Sequence, residues 1–262
     1  MKKKSSVLIF IGGAYLISWI FWLPLIFMEA EGLVKIILRI IGGYGPFLSA
    51  IVVVKISKDR KSVVFWLKNI FKFRIGIKNY VYAIVIPLLI LFLTFIITIL
   101  IGDLTLDFSL MAPVWAYPIF LVYIIFLAGG QEEPGWRGFL LPELLEKYSP
   151  VIASILIGLI WCFWHAPLFF IPDSIQQSIP FIWYFINTLA FSVILTQIYI
   201  RNYSVISVIV LHSGLNAIGN YVPFKEGIEG VFSYFTISSL IVAFILLFQD
   251  KNKIKLNKKI KS

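Results

Sequence analysis

Apolar runs of about twenty residues recur eight times along this chain, separated by short charged segments. They cover roughly residues 6–28, 34–56, 80–102, 114–131, 151–171, 181–200, 204–222 and 231–249. A helix needs about 20 apolar residues to cross the hydrocarbon core. A lipid solvent also obliges each span to satisfy its own backbone hydrogen bonds. The pattern therefore predicts an all-α, polytopic transmembrane bundle of about eight spans, forming one integral-membrane domain over residues 1–262.

Composition agrees. The chain is 60% hydrophobic and only 14% charged, against about 25% charged in soluble domains. A net charge of +10 is compatible with nucleic-acid binding, but the basic residues fall in short runs between spans. That is how cytoplasmic loops meet anionic lipid. The expected partner is therefore the lipid bilayer of a cell membrane, and nucleic acid is excluded. The single cysteine, Cys162, rules out an internal disulfide and a cysteine zinc cage, leaving a small packing residue. Lys2–Lys4 resemble a signal-peptide start, but the following apolar run is too long for an h-region. It is expected to be a retained first span.

Charge location sets the orientation. With the N-terminus cytoplasmic, the inside segments hold Lys2–Lys4, Lys55 through Lys78, Arg137, Lys147, Arg201 and Lys251 through Lys261. The outside loops hold Lys225 among Glu29, Glu31, Asp103, Asp107, Asp173, Glu226 and Glu229. Both termini are expected to be cytoplasmic. Lys35 and Arg39 interrupt the second span near its outer end, where snorkelling explains them. Phe65–Phe73 alternates aromatics with Lys68 and Lys72, so this loop is expected to lie flat on the inner surface. The Lys-rich segment after Asp250 is expected to be a solvated tail.

Ionisable groups at membrane depth cost about 2.5–3.5 kcal/mol each on insertion scales and mark functional sites by default. The first such group is Gln131-Glu132-Glu133-Pro134-Gly135-Trp136-Arg137-Gly138. On a helix, Glu133 and Arg137 are i,i+4 neighbours with the acid N-terminal, the better order for an ion pair. Glu132 points about 100° away and has no local cation. One carboxylate is thus expected to be structural and the other, Glu132, chemical. Pro134 cannot donate to Gly130, so the helix bends or the freed carbonyl finds another partner.

The second group is Trp161-Cys162-Phe163-Trp164-His165-Ala166-Pro167, where the Trp161 ring, one turn before His165, is expected to stack beside the imidazole. The third is Leu211-His212-Ser213-Gly214-Leu215-Asn216, with Asn220 a further turn along the same face. Packing histidines and interhelical hydrogen bonds are the ordinary explanations of each group alone. Convergence of all three offers a peptide-hydrolysis site with a general base, a water-holding group and oxyanion donors. It equally offers Glu132, His165 and His212 as ligands for a zinc ion with an open position. The H-E-x-x-H signature of soluble metalloproteases is absent.

Glu132-Glu133-x-x-x-Arg137-Gly138, Trp161-x-x-x-His165-x-Pro167 and His212-x-x-x-Asn216, in that order, resemble the motifs of the CPBP (CAAX protease and bacteriocin-processing, Abi-like) intramembrane proteases. Type II CAAX prenyl endopeptidases belong to the same group. The second motif usually opens with Phe, and Trp161 keeps an aromatic there. The resemblance implies an intramembrane endopeptidase acting near the cytoplasmic side, with a motif-bearing core over roughly 114–222. In it Glu132 and His165 activate water, His212 and Asn216 stabilise the oxyanion, and Glu133, Arg137 and Trp161 support the site or position substrate. The implied substrate is a peptide or protein, lipidated in CAAX-type members; other members process bacteriocins or confer self-immunity. The rival class is a non-proteolytic immunity or transport protein that uses the cluster for binding. A transporter often has paired repeats with broken helices, and the sequence has none.

The resemblance does not choose between metal and no metal. A zinc site would take both histidines and Glu132 away from base and oxyanion duties, so a metal-free site is preferred. One mismatch stands. At 1.5 Å per residue, His165 lies about 21 Å from a span start at Val151 and His212 about 12 Å from Ser204, with Glu132 at the inner boundary. Either the fifth span starts after an interfacial Glu143–Ser149 stretch, or the helices tilt strongly.

Overall fold

The computed structural model describes residues 3–28, 32–57, 60–72, 76–102 and 104–260. In order the helices are α1 (Lys3–Trp22), α2 (Pro24–Phe27), α3 (Gly32–Gly43), α4 (Gly45–Ser57), α5 (Arg60–Ile70), α6 (Ile77–Ile101) and α7 (Tyr117–Leu127). They continue as α8 (Glu133–Gly135), α9 (Leu141–Leu145), α10 (Pro150–Trp164), α11 (Ile175–Ser178), α12 (Phe181–Asn202), α13 (Val205–Ala217) and α14 (Gly227–Ile260). Among the described residues no strand forms beyond one isolated bridge, Leu106 to Phe224.

The all-α bundle is as the apolar runs predict, and the protein is a multi-pass membrane protein. Six helical segments are long and apolar enough to cross a bilayer, and the α3–α4 pair, bent by 40°, makes a seventh if counted as one. The seventh run, 204–222, forms the shorter helix α13.

Small residues let the helices approach. An added Cβ on Gly45 would fall 2.0 Å from Ser18 Oγ, and one on Gly13 would fall 2.5 Å from Ser49 Oγ. α1 and α4 are therefore in near-backbone contact, and Ser49 Oγ donates to Phe10 O at 2.8 Å. α10 and α12 meet in the same way, with Gly158 against Leu189 and Ser192 and Ser192 Oγ donating to Ser154 O at 2.7 Å. In lipid such close packing and interhelical hydrogen bonding hold helices together, because there is no apolar surface to hide from water.

Several expectations change. The run expected to end at residue 131 continues to Leu145, a 38-residue apolar path. It is broken at Gly129, carried on by α8, and passes through a π-helical turn over Trp136–Leu140 into α9. Glu132, expected at the inner boundary of the membrane, is buried in the bundle. The carbonyl that Pro134 leaves unused, on Gly130, accepts from the Glu133 N–H, so the break costs no backbone hydrogen bond there. Arg137, counted above among cytoplasmic loop charges, is wholly buried.

α10 starts at Pro150, so the fifth helix does not begin later than its apolar run, and Ser204, from which the His212 distance is counted, is itself buried in the protein. Lys35 does not snorkel but pairs with Asp173 at 3.0 Å, and Arg39 faces a cavity. Finally, α14 carries the helix past Asp250 to Ile260.

The 65–73 segment is largely a helix, α5, with Trp66 Nε1 donating to Gly138 O at 2.9 Å and Phe65 exposed; Phe73 lies outside the described residues. Two loops expected on the outer side pair with each other: Asp107 N donates to Pro223 O and Lys225 N to Thr105 O.

Candidate active site

The three sequence groups meet at one cavity of about 710 Å³, whose wall includes Glu132, Trp161, His165, His212 and Asn216. Each is delivered by a different local device. Glu132 closes a 3₁₀ turn, Gly130–Glu132, that follows the break after α7. His165 is the C-cap of α10, where Pro167 enters the next turn. His212 and Asn216 stand one turn apart on α13.

Glu132 and Glu133 diverge as expected. Arg137 Nη1 donates to Glu133 Oε1 at 3.0 Å, both side chains being 0% exposed. The same oxygen takes His212 Nδ1 at 2.7 Å. A carboxylate facing a guanidinium only accepts, so His212 carries its proton on Nδ1. Arg137 also reaches Ser192 Oγ at 3.4 Å and lies over the Trp161 ring, 5.1 Å from its centroid. Glu132 is held differently: Trp161 Nε1 donates to its Oε2 at 2.7 Å. No hydrogen bond to Oε1 is drawn from that tryptophan, and the carboxyl borders the cavity.

His165 Nδ1 lies 2.9 Å from Trp161 O. A carbonyl only accepts, so Nδ1 carries the proton and Nε2 is left with a lone pair. The stacking expectation is corrected: the Trp161 ring is tilted 59° to His165, and the main chain of Trp161 does the orienting. The ring that stacks, at 20° and 6.3 Å, is Trp22.

Asn216 Nδ2 donates to Ala128 O at 3.1 Å and approaches His212 Nε2 at 3.4 Å. Gly129 makes this possible. Its φ is +146°, and an added Cβ would stand 2.7 Å from Asn216 Nδ2 and 3.1 Å from His212 Nε2. Asn220 also borders the cavity, although α13 has given way to a 3₁₀ turn there.

Among the described residues no three His, Cys, Asp or Glu side chains, Glu132, His165 and His212 included, gather as a metal-ligand group. The two Nδ1 hydrogen bonds nonetheless leave each imidazole with an Nε2 lone pair, the arrangement that metal-ligating histidines also use.

Sequence reasoning missed Trp22 and Tyr184 as wall residues and Gly129 as the position that lets Asn216 and His212 approach. Gly129-Gly130 just before the glutamates was a readable signal for a break; the two aromatics looked like any others in an apolar run.

The type II CAAX prenyl endopeptidase Rce1-like family model matches residues 113–218, which contain every residue of the cluster. A CAAX prenyl protease 2 from Methanococcus maripaludis is 26% identical over 215 residues, covering 77% of this chain and 79% of that protein. The part of the chain that carries the three motifs is thus similar to the type II CAAX prenyl endopeptidases, the group its motifs resemble. That similarity supports the coarse activity of a membrane protease of the CAAX prenyl endopeptidase kind.

Proposed function

We propose that this protein is an intramembrane endopeptidase that hydrolyses a peptide bond with water activated by Glu132. The observation that carries this is the contrast within the glutamate pair. Glu133 is consumed by Arg137 and His212, whereas Glu132 has one oxygen anchored by Trp161 and borders the cavity.

In this reading Glu132 takes a proton from water as the water oxygen attacks the scissile carbonyl. His165 accepts the water's other hydrogen at Nε2 and so fixes its direction. The tetrahedral intermediate collapses when Glu132 returns its proton to the departing amine. Asn216 and His212 supply the oxyanion donors. With its Nδ1 proton on Glu133, His212 can donate from Nε2 only as imidazolium. Asn216 must then turn an N–H from Ala128 O or His212 toward the substrate oxygen.

The substrate is a peptide or protein presented from the bilayer. The name of the archaeal relative suggests a CAAX-type, prenylated C-terminus, with bacteriocin-like peptide processing as the other family role. Charge asymmetry argues for cleavage near the cytoplasmic side, with both termini inside; a reporter fused after Ser262 that works only outside would overturn that topology. For the chemistry, the test is cleavage of a prenylated CAAX-type peptide by purified protein in nanodiscs, wild type against Glu132→Gln. Turnover by wild type alone is expected. Binding without turnover would favour the immunity or transport alternative. Activity lost on chelation and restored by zinc would replace the metal-free scheme.

A further inference from the structure

α3 carries two cations, and they have different fates. Lys35 is neutralised by Asp173 at 3.0 Å. Arg39, one helical turn later, is half-buried in the wall of the catalytic cavity. Among the described residues its side chain makes no hydrogen bond or ion pair. Its companions on the wall are Ile36, Ile40 and Phe120, with the Tyr123 phenol the nearest polar group in the α7 sequence. A guanidinium in a largely apolar surround is costly unless an anion meets it, and among the described residues none stands within ion-pair distance of Arg39.

Arg39 is also fixed relative to the reacting groups. Its carbonyl accepts from Trp22 Nε1 at 3.1 Å, and the same indole stacks on His165 at 6.3 Å. One turn further along α3, Gly43 lies so close to Gln131 that an added Cβ would fall 2.7 Å from Gln131 Nε2, and Gln131 precedes Glu132. The main chain of α3 that carries Arg39 is thus tied on one side to the water-holding histidine and on the other to the segment that carries the base.

Resting on the hydrolytic reading above, we infer that Arg39 binds a carboxylate of the substrate, the free α-carboxylate at a peptide's C-terminus, and so directs cleavage to bonds close to that end. A guanidinium presents paired N–H donors that match the two oxygens of a carboxylate, and such charge-assisted pairs are both strong and directional. An internal peptide segment has nothing to offer this position.

The test uses two peptides identical except for a C-terminal carboxylate or carboxamide, with wild type, Arg39→Gln and Arg39→Lys protein in nanodiscs. Wild type is expected to favour the acid about ten- to a hundredfold in kcat/KM. Arg39→Gln should bring the acid-to-amide ratio to about one, and Arg39→Lys should restore part of it. Equal use of the two peptides by wild type, or a preference that survives Arg39→Gln, overturns the assignment. So does an equal loss on both peptides that removal of anionic lipid reproduces, because Arg39 would then serve a lipid phosphate. Competition against a fluorescent peptide on Glu132→Gln protein reads the same preference without turnover. Acid-selective binding with no hydrolysis by wild type would defeat the proteolytic reading and leave Arg39 standing; binding without selectivity would defeat Arg39.

Discussion

Glu132 and Glu133 share a peptide bond but belong to two regions built on different principles. On the Glu133 side the contacts converge on one atom: Arg137 at 3.0 Å and His212 at 2.7 Å share Oε1, the guanidinium lies over Trp161, and Glu133 Oε2 and Arg137 Nε are buried without a partner. On the Glu132 side contacts are few. One indole N–H holds one oxygen, and His165 is turned by a carbonyl so that its lone pair is left over. The first region spends its polar capacity on itself, which suits a scaffold. The second keeps capacity in reserve, which suits a group that must meet water and substrate. Adjacent acids on a helical turn achieve this because successive side chains diverge by about 100°.

The sharpest way to break the comparison is to neutralise each side separately. Glu132→Gln keeps the shape and can still accept from Trp161, so turnover should fall by about 10²–10⁴-fold, the usual share of a general base, with little change in detergent Tm. Near-normal hydrolysis by a well-folded Glu132→Gln protein would end its assignment as base. Arg137→Ala should do the opposite. Stranding a buried carboxylate costs about 3–5 kcal/mol, so its Tm should fall well below that of Glu132→Gln. Equal melting temperatures for the two variants would deny the scaffold role.

Much of this division was legible in the sequence. The i,i+4 spacing of Glu133 and Arg137, and of His212 and Asn216, identified neighbours correctly because spacing on a helix is local geometry. Apolar run length likewise identified the helices. What spacing cannot carry is contact between distant segments. That His212 reports to Glu133, and that Trp22 stacks on His165, depend on how α13 and α1 pack against the rest. Run length also misled at residues 114–131: Gly129-Gly130 and Pro134 look like an ending, yet Trp136–Leu145 resumes the helix because the Gly130 carbonyl is satisfied locally. Lys35 and Arg39 looked alike by position, and only the packing of α3 beside Asp173 and the cavity separates them.

Gly129 is where the two regions touch, and Gly129→Ala sharpens the boundary between them. A side chain at φ +146° is strained, and its Cβ would press on Asn216 Nδ2 and His212 Nε2. Backbone strain of about 1–3 kcal/mol should appear as a moderate loss of Tm. Turnover should fall by more than the stability loss explains, since the displaced atoms are the proposed oxyanion donors. A variant that is destabilised but fully active when folded would remove those two residues from the chemistry.

Trp161→Phe is the mildest probe, and it acts on the one atom that separates a held base from a loose one. Phenylalanine keeps an aromatic face for Arg137, 5.1 Å away, and an edge for His212, at 5.1 Å between centroids. It keeps the main-chain carbonyl that turns His165. Only the indole N–H to Glu132 is lost. Removing one hydrogen bond to a carboxylate is worth about 1.5 kcal/mol or somewhat more, so kcat should drop about tenfold. KM should stay constant, because Glu132 acts on water and not on substrate binding. A raised KM with unchanged kcat would instead make Trp161 a substrate-positioning wall, and the contrast between the two glutamates would then rest on Arg137 and His212 alone.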